Sequence, residues 1–154
     1  MKTILAPVDF SSATPRVIAE AVALARPLNS RLVLLHVTLP PFVASDDVGA
    51  AETIVELTKF AEKAAGKELA RLKEMLCHDG VAVETVRLTG APALAIAEQA
   101  QTLGADYIVI GSHGHTAFYD LFIGSTTSAV LKKSPCPVVI VPPPPKTKGA
   151  PKPQ

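Results

Sequence analysis

The stretch DYIVIG, residues 106–111, contains the most hydrophobic strand-length run of the chain and ends in a glycine. A run of this length without polar alternation is typical of a strand covered on both faces, as in a parallel sheet between helices. Segments of helical period flank it on both sides, at 93–103 and 125–133. The alternation of short apolar runs with helices therefore predicts a parallel α/β sheet.

The same alternation continues over most of the 154 residues. We predict five strands, at about 3–8, 31–37, 81–88, 106–110 and 136–141. We predict helices at about 48–78, 93–103 and 125–133, and another after the first strand, capped by Ser11, Ser12 or Thr14 and ended near Pro27 and Asn29. Together they predict a single-domain, doubly wound, open parallel five-stranded sheet, strand order 3-2-1-4-5, with helices on both faces.

Composition limits the classes of function. A net charge of +1 gives no broad attraction for nucleic acid or an anionic membrane, and 5% aromatic residues do not favour base stacking. The two cysteines form no disulfide framework, and we expect both to be buried or half-buried thiols. No run approaches the roughly 18 apolar residues of a membrane span, and the N-terminal apolar stretch is too short for a signal peptide. We therefore expect a cytoplasmic protein.

The end of the chain differs from the rest. Residues 1–142 form the predicted domain, whereas residues 143–154 are rich in proline and lysine and have little apolar surface to bury. We expect the latter to be a disordered tail.

A glycine pattern follows the fourth predicted strand. Gly111, Gly114, Gly124 and Ser125 have the spacing Gly-x2-Gly-x9-Gly-Ser. Glycine lets the backbone approach a ligand closely, and the N–H groups of such a loop and of the helix that follows favour phosphate. The pattern therefore favours a phosphate cradle, although turn formers at a strand end and a helix start would show the same glycines.

Two better-known phosphate motifs are missing from the sequence. No GxGxxG follows the first strand, and no GxxxxGK[ST] occurs anywhere. The glycine loop also has no lysine, so amides, hydroxyls, histidines and a divalent ion would have to balance phosphate charge. Because P-loop catalysis uses a lysine and a metal-placing acid, we expect binding with slow chemistry or none.

Four segments resemble the universal stress protein family, in the order in which that family has them. They are ILAPVDFS (4–11), LLHV (34–37), GADYIVIG (104–111) and 111–141, which closes with SPCPVVIV. The resemblance covers essentially residues 1–142, and the glycine spacing is that of the family's nucleotide-binding branch. It implies an adenine nucleotide, ATP or else AMP or ADP, with Mg²⁺ or Mn²⁺ held mainly by the phosphates.

The resemblance also implies a role for individual residues. Asp9 would contact the nucleoside beside Pro7 and Val8, and the backbone of Val37 would meet adenine. The ribose and phosphates would be held by Gly111, Gly114, Gly124, Ser125 and Thr126, with His113 as a further phosphate contact. The last strand, Pro137 to Val141, would form a homodimer. One departure is Asp120, which would repel phosphate if it faced the site.

Some alternatives stay open at this point. Asp9 would also serve as the cap of the turn after its strand, and His36 is expected to be a packed, hydrogen-bonded side chain rather than a metal ligand. The leading hypothesis is a dimeric stress-response module regulated by nucleotide and acting on an unknown protein partner. The others are a slow ATPase or autophosphorylating enzyme using Ser125 or Thr126, and a dimeric scaffold that binds no nucleotide.

Overall fold

The structure is a computed structural model that describes residues 1–41, 48–112 and 123–143. Its strands, numbered along the chain, are β1 (Thr3–Pro7), β2 (Arg31–Thr38), β3 (Val83–Thr89), β4 (Tyr107–Gly111) and β5 (Val138–Val141). Its helices are α1 (Thr14–Ala25), α2 (Val48–His78), α3 (Pro92–Leu103) and α4 (Ser125–Lys133). The strands pair in parallel in the order β3-β2-β1-β4-β5, which confirms the predicted sheet.

The two faces of the sheet carry separate cores, because successive strand side chains point to opposite sides. Ile4 packs with Val17 of α1 and Leu69 of α2 on one face. Leu5, the next residue, packs with Ile96 of α3 and Val130 of α4 on the other. Both faces are thus covered by helices, which explains why the strands are continuous apolar runs.

The order of the strands fixes one opening in the fold. The chain adds β2 and β3 on one side of β1 and then β4 and β5 on the other. The winding therefore reverses between β1 and β4, and the connections leave in opposite directions from their carboxyl ends. Such a reversal opens a crevice at that edge of the sheet.

The start of α1 has no side-chain cap from Ser11, Ser12 or Thr14, so that prediction is wrong. The helix begins after Ala13, and no side chain of the described residues caps it. The Ser11 hydroxyl accepts from the Ala13 N–H at 3.3 Å, and the Thr14 hydroxyl donates to Oδ1 of Asp9 at 3.4 Å. The same Oδ1 accepts from the Ser11 N–H at 3.0 Å. The loop before the helix thus uses the groups that were expected to cap it.

Helix α2 has two unlike halves. Among its described side chains none between 51 and 64 is buried, and Phe60 is 74% exposed. Ala65 is the first buried residue, and Leu69, Leu72 and Leu76 follow it at helical spacing. The second half therefore packs on the sheet, while the first half contributes little to the core.

Gly66 lies at the junction of these halves. A Cβ placed there would come 2.9 Å from Nη1 of Arg87, a β3 residue. The same Nη1 donates a hydrogen bond to the carbonyl oxygen of Glu62 at 3.0 Å. The glycine thus lets the guanidinium lie against the helix backbone, which sequence reasoning did not foresee.

Little of the predicted tail belongs to the described part of the chain. The carbonyl oxygen of Pro143 accepts a hydrogen bond from Nη1 of Arg16 at 2.9 Å, and residues 144–154 lie outside the description.

Within the described ranges, no helix is both long and apolar enough to cross a membrane.

Gly104 provides a stability prediction. It ends α3 in the left-handed conformation, at φ 58°, and outside its immediate chain neighbours no heavy atom of the described residues lies within 4 Å of the place a Cβ would take. Gly104→Ala should therefore lower the free energy of unfolding by about 1–2 kcal/mol through backbone strain alone. Urea titration measures it, and Gly104→Asn should lose less because asparagine tolerates this conformation. Equal losses in the two variants would contradict the backbone explanation.

The cysteines provide a prediction about reactivity. Both are free thiols, but Cys77 is exposed, which contradicts the expectation of burial, since it falls on the outer side of α2. Cys136 is half-buried, and that burial raises the pKa of its thiol. At pH 8 a disulfide reagent should therefore modify Cys77 first, and Cys136 should need a higher pH to react. Cys77→Ser should remove the fast phase of modification. A fast phase that persists in this variant would show that Cys77 is not the more reactive thiol.

Candidate functional site

A cavity of about 400 Å³ opens where β1, β2 and β4 end, at the reversal of the winding. Its volume falls within the range of small-molecule sites. The structure brings together in its wall all the predicted site residues that it describes. They are Pro7, Val8, Asp9, Val37, Gly111, Gly124, Ser125 and Thr126. The predicted residues His113 and Gly114 lie outside the described residues.

The end of β4 and the start of α4 form one side of the cavity. The N–H of Gly124 donates to the carbonyl oxygen of Ser112 at 2.8 Å. The buried hydroxyl of Thr127 donates to the carbonyl oxygen of Gly111, also at 2.8 Å. These bonds hold Gly111 and Ser125 beside the same opening, although they are distant in the chain.

The first turn of α4 has the properties of an anion site. Its N-cap is Gly124, and among the described residues no side chain caps the helix. The first N–H groups of a helix have no partner within it, and its dipole is positive at that end. Ser125 and Thr126 add hydroxyl groups at the cavity wall. This side can therefore donate several hydrogen bonds to a phosphate or carboxylate.

Asp9 lies on the β1 side of the cavity. Its carboxylate accepts the bonds from Ser11 and Thr14 described above, so the role of turn cap that the sequence left open is real. The residue lines the cavity as well. A carboxylate has two oxygens and about four acceptor positions, so an oxygen that bonds the loop can also accept from a ligand.

His36 lies next to Asp9 across the strand end. Its Nδ1 is 2.8 Å from the carbonyl oxygen of Val8, and its ring stacks on Phe10 with centroids 4.5 Å apart. The expectation of a packed, hydrogen-bonded histidine is confirmed. Its place in the cavity wall was not predicted.

Further wall residues were missed by sequence reasoning. They are Ala13, Thr14, Val17, Leu35, Thr38, Leu39, Pro92, Ile96, Ile110 and Thr127, together with His36. Most are apolar, and Pro92 and Ile96 form one face of the first turn of α3. The only available signal was their position, since α3 follows β3 and must cross the sheet near the ends of β1 and β4.

The charge of the wall is low. Among its described residues there is no lysine or arginine, and the titratable side chains are Asp9 and His36. The described residues also contain no group of three or more His, Cys, Asp or Glu that could hold a metal ion. In the described wall an anionic group would therefore meet amide and hydroxyl donors rather than the side chain of a lysine or arginine.

Comparisons with known proteins agree with this geometry. Residues 1–142 match the sequence profile of the Universal stress protein family. Universal stress protein MJ0531 of Methanocaldococcus jannaschii is 33% identical over 146 residues, which cover 94% of this chain and 84% of that protein. The solved structure of UspA from Lactobacillus plantarum is 28% identical, with a TM-score of 0.79 over 91% of this chain and 97% of the other. A universal stress protein from Archaeoglobus fulgidus, solved in complex with dAMP, shares the fold at 23% identity, with a TM-score of 0.64 over 91% and 97% of the two chains. The chain belongs to the universal stress protein family.

Proposed function

We propose that the protein is a cytoplasmic, dimeric stress-response regulator that binds ATP, or else AMP or ADP, in the cavity at the ends of β1, β2 and β4. The observation that carries the proposal is that the cavity has one polar side and one apolar side. One side has the start of α4 with its hydroxyls, where no side chain of the described residues caps the helix, and the other side is mostly apolar. A nucleotide has the same division, with phosphates at one end and a flat base at the other.

The wall supports one orientation of the nucleotide. Val8, Val37 and Ile96 offer apolar surface for the base, and Asp9 can accept a hydrogen bond from the nucleoside. Ser125 and Thr126 lie at the phosphate end, where the α4 dipole favours negative charge. The dAMP complex of the Archaeoglobus fulgidus relative makes an adenine nucleotide the first ligand to test.

Binding is proposed rather than rapid hydrolysis. P-loop enzymes neutralise the transferred phosphate with a lysine and place the metal with an acid, and the described wall has no lysine. Mg²⁺ or Mn²⁺ would accompany the nucleotide on its phosphates, where it would offset their charge. Any turnover would be slow, and a change of partner contacts with nucleotide state would be the output.

Calorimetry of the purified protein with ATP and Mg²⁺ tests the proposal, after bound nucleotide has been released by acid and identified by chromatography. Saturable binding of ATP, with GTP bound more weakly, would support it. A protein that carries no nucleotide and shows no heat with ATP, ADP or AMP would refute it and favour a scaffold. Phosphate release above background would instead identify an ATPase. A mass gain of one phosphoryl group on Ser125 or Thr126 would identify an autophosphorylating enzyme.

The dimer is proposed to form through β5, within the predicted segment Pro137 to Val141. This strand is at one edge of the sheet, and its Val139 is 38% exposed. Exposed apolar edge strands need cover, and pairing with a second copy supplies it. Val139→Lys should give a monomer in sedimentation experiments. A wild-type protein that sediments as a monomer, or a variant that stays a dimer, would refute this interface.

A further inference from the structure

Phe10 has a backbone conformation that its side chain does not favour. Among the described residues only Phe10 and Asn29 combine a positive φ with a side chain, at 59° and 47°. Asparagine tolerates this region, whereas a bulky aromatic residue there is an outlier. Such strain persists only where neighbouring contacts enforce it, and it concentrates at functional sites.

The contacts that enforce it are those of His36. The Phe10 ring stacks on the imidazole with an interplanar angle of 26°, and it is packed against the core of the α1 and α2 face. Because a carbonyl oxygen only accepts, the bond between Nδ1 and the Val8 oxygen places a proton on Nδ1 of His36. The N–H of Val8 donates to the carbonyl oxygen of Leu35 at 2.8 Å, so both backbone groups of Val8 are held.

Asp9 lies between these two fixed residues. Val8, the residue before Asp9, is hydrogen-bonded to His36, and Phe10, the residue after Asp9, stacks on His36. Its carboxylate then accepts from the Ser11 N–H, which fixes the direction of the side chain along the cavity wall. A single imidazole thus holds the backbone on both sides of Asp9.

We propose that Phe10 and His36 act together as positioning residues for the Asp9 carboxylate, and that they set the affinity of the cavity for an adenine nucleotide. The inference rests on the proposed function and deepens it. Glycine at position 10 would adopt the same φ without strain. What the Phe10 ring adds is therefore its contact with His36, the residue that is hydrogen-bonded to Val8.

Three variants separate positioning from a general loss of stability. Phe10→Gly removes the stack and also the backbone strain, so its unfolding midpoint should stay close to that of the wild type. His36→Leu removes the bond to Val8. His36→Asn is a partial rescue, because its amide nitrogen can take the place of Nδ1 and donate to the same oxygen, although it has no ring to stack on Phe10.

The first readout needs no nucleotide. The Ser11 amide is bonded to Asp9, so its hydrogen exchange reports how firmly the carboxylate is held. Exchange at Ser11 should become about tenfold faster in Phe10→Gly and in His36→Leu, with His36→Asn between wild type and His36→Leu. The affinity for ATP, measured by calorimetry, should fall by about tenfold in the same two variants and recover in part in His36→Asn.

The outcomes distinguish the two proposals. If wild-type protein binds no ATP while Ser11 exchange rises in both variants, the nucleotide function is wrong and the positioning of Asp9 stands. If Ser11 exchange is unchanged in both variants, the positioning role is overturned, whatever the affinity for ATP. It is overturned as well if His36→Asn binds ATP as weakly as His36→Leu.

Discussion

Ser125→Asp is expected to weaken ATP binding by at least about 100-fold while the folded protein becomes slightly more stable. Ser125 is the first residue of α4 and is exposed at the cavity wall. A carboxylate in the first turn of a helix interacts favourably with the dipole, by about 0.3–1 kcal/mol. The same charge occupies the N–H donors and repels phosphate, and like charges brought together cost several kcal/mol. Stability and affinity should therefore change in opposite directions.

The matched control is Ser125→Asn, which has the same shape without the charge. It should keep most of the affinity for ATP, and adenosine should bind Ser125→Asp nearly as well as it binds wild type because adenosine has no phosphate. Calorimetry with both ligands and thermal unfolding of all three proteins make the comparison. An equal loss for adenosine and ATP would show that α4 does not bind the phosphates.

Leu34→Ala should destabilise the protein by about 2–5 kcal/mol, a large part of the 5–15 kcal/mol typical of a whole domain. Leu34 is on β2 with 0% exposure, in the core beneath α1 and α2. Truncation removes its buried methyl groups and leaves a cavity that a rigid sheet between helices fills poorly. The change is measured as a shift of the urea midpoint at constant slope.

Leu94→Ala provides the matched control for that loss. It makes the same chemical change on α3, where the side chain is 45% exposed, and should cost less than about 1 kcal/mol. Because Leu34 does not line the cavity, the folded fraction of Leu34→Ala should bind ATP with wild-type affinity. Similar losses at the two leucines would mean that the face beneath α1 and α2 is not the packed core.

The fold was predictable because burial on both faces leaves a plain signal. Residues 31–37 are apolar in almost every position, and β2 is indeed an interior strand of the sheet. The family resemblance assigned Asp9 and Val37 to the site, and the structure has both in the same cavity wall as Gly111. The strand ends differ from prediction by one or two residues, as for β3, which begins at Val83.

The features that were missed depend on contacts between distant segments. Ser11 and Thr14 were expected to cap α1, but the Ser11 hydroxyl accepts from the Ala13 N–H and the Thr14 hydroxyl donates to Asp9, and composition does not show which partner prevails. Ile96 reaches the cavity only because α3 crosses the face of the sheet that lies away from α1 and α2. The bond between His36 and Val8 joins neighbouring strands, and no local pattern marks it.

The unburied first half of α2 has a consequence for cooperativity. Opening residues 51–64 exposes little apolar surface, so its free energy depends mainly on helix propensity, and it can occur without unfolding the sheet. The unit that unfolds in one step is then smaller than the chain, and the denaturant slope reports on the sheet and the helices packed on it. No described residue of α2 lines the cavity, so fraying of this half leaves the site assembled.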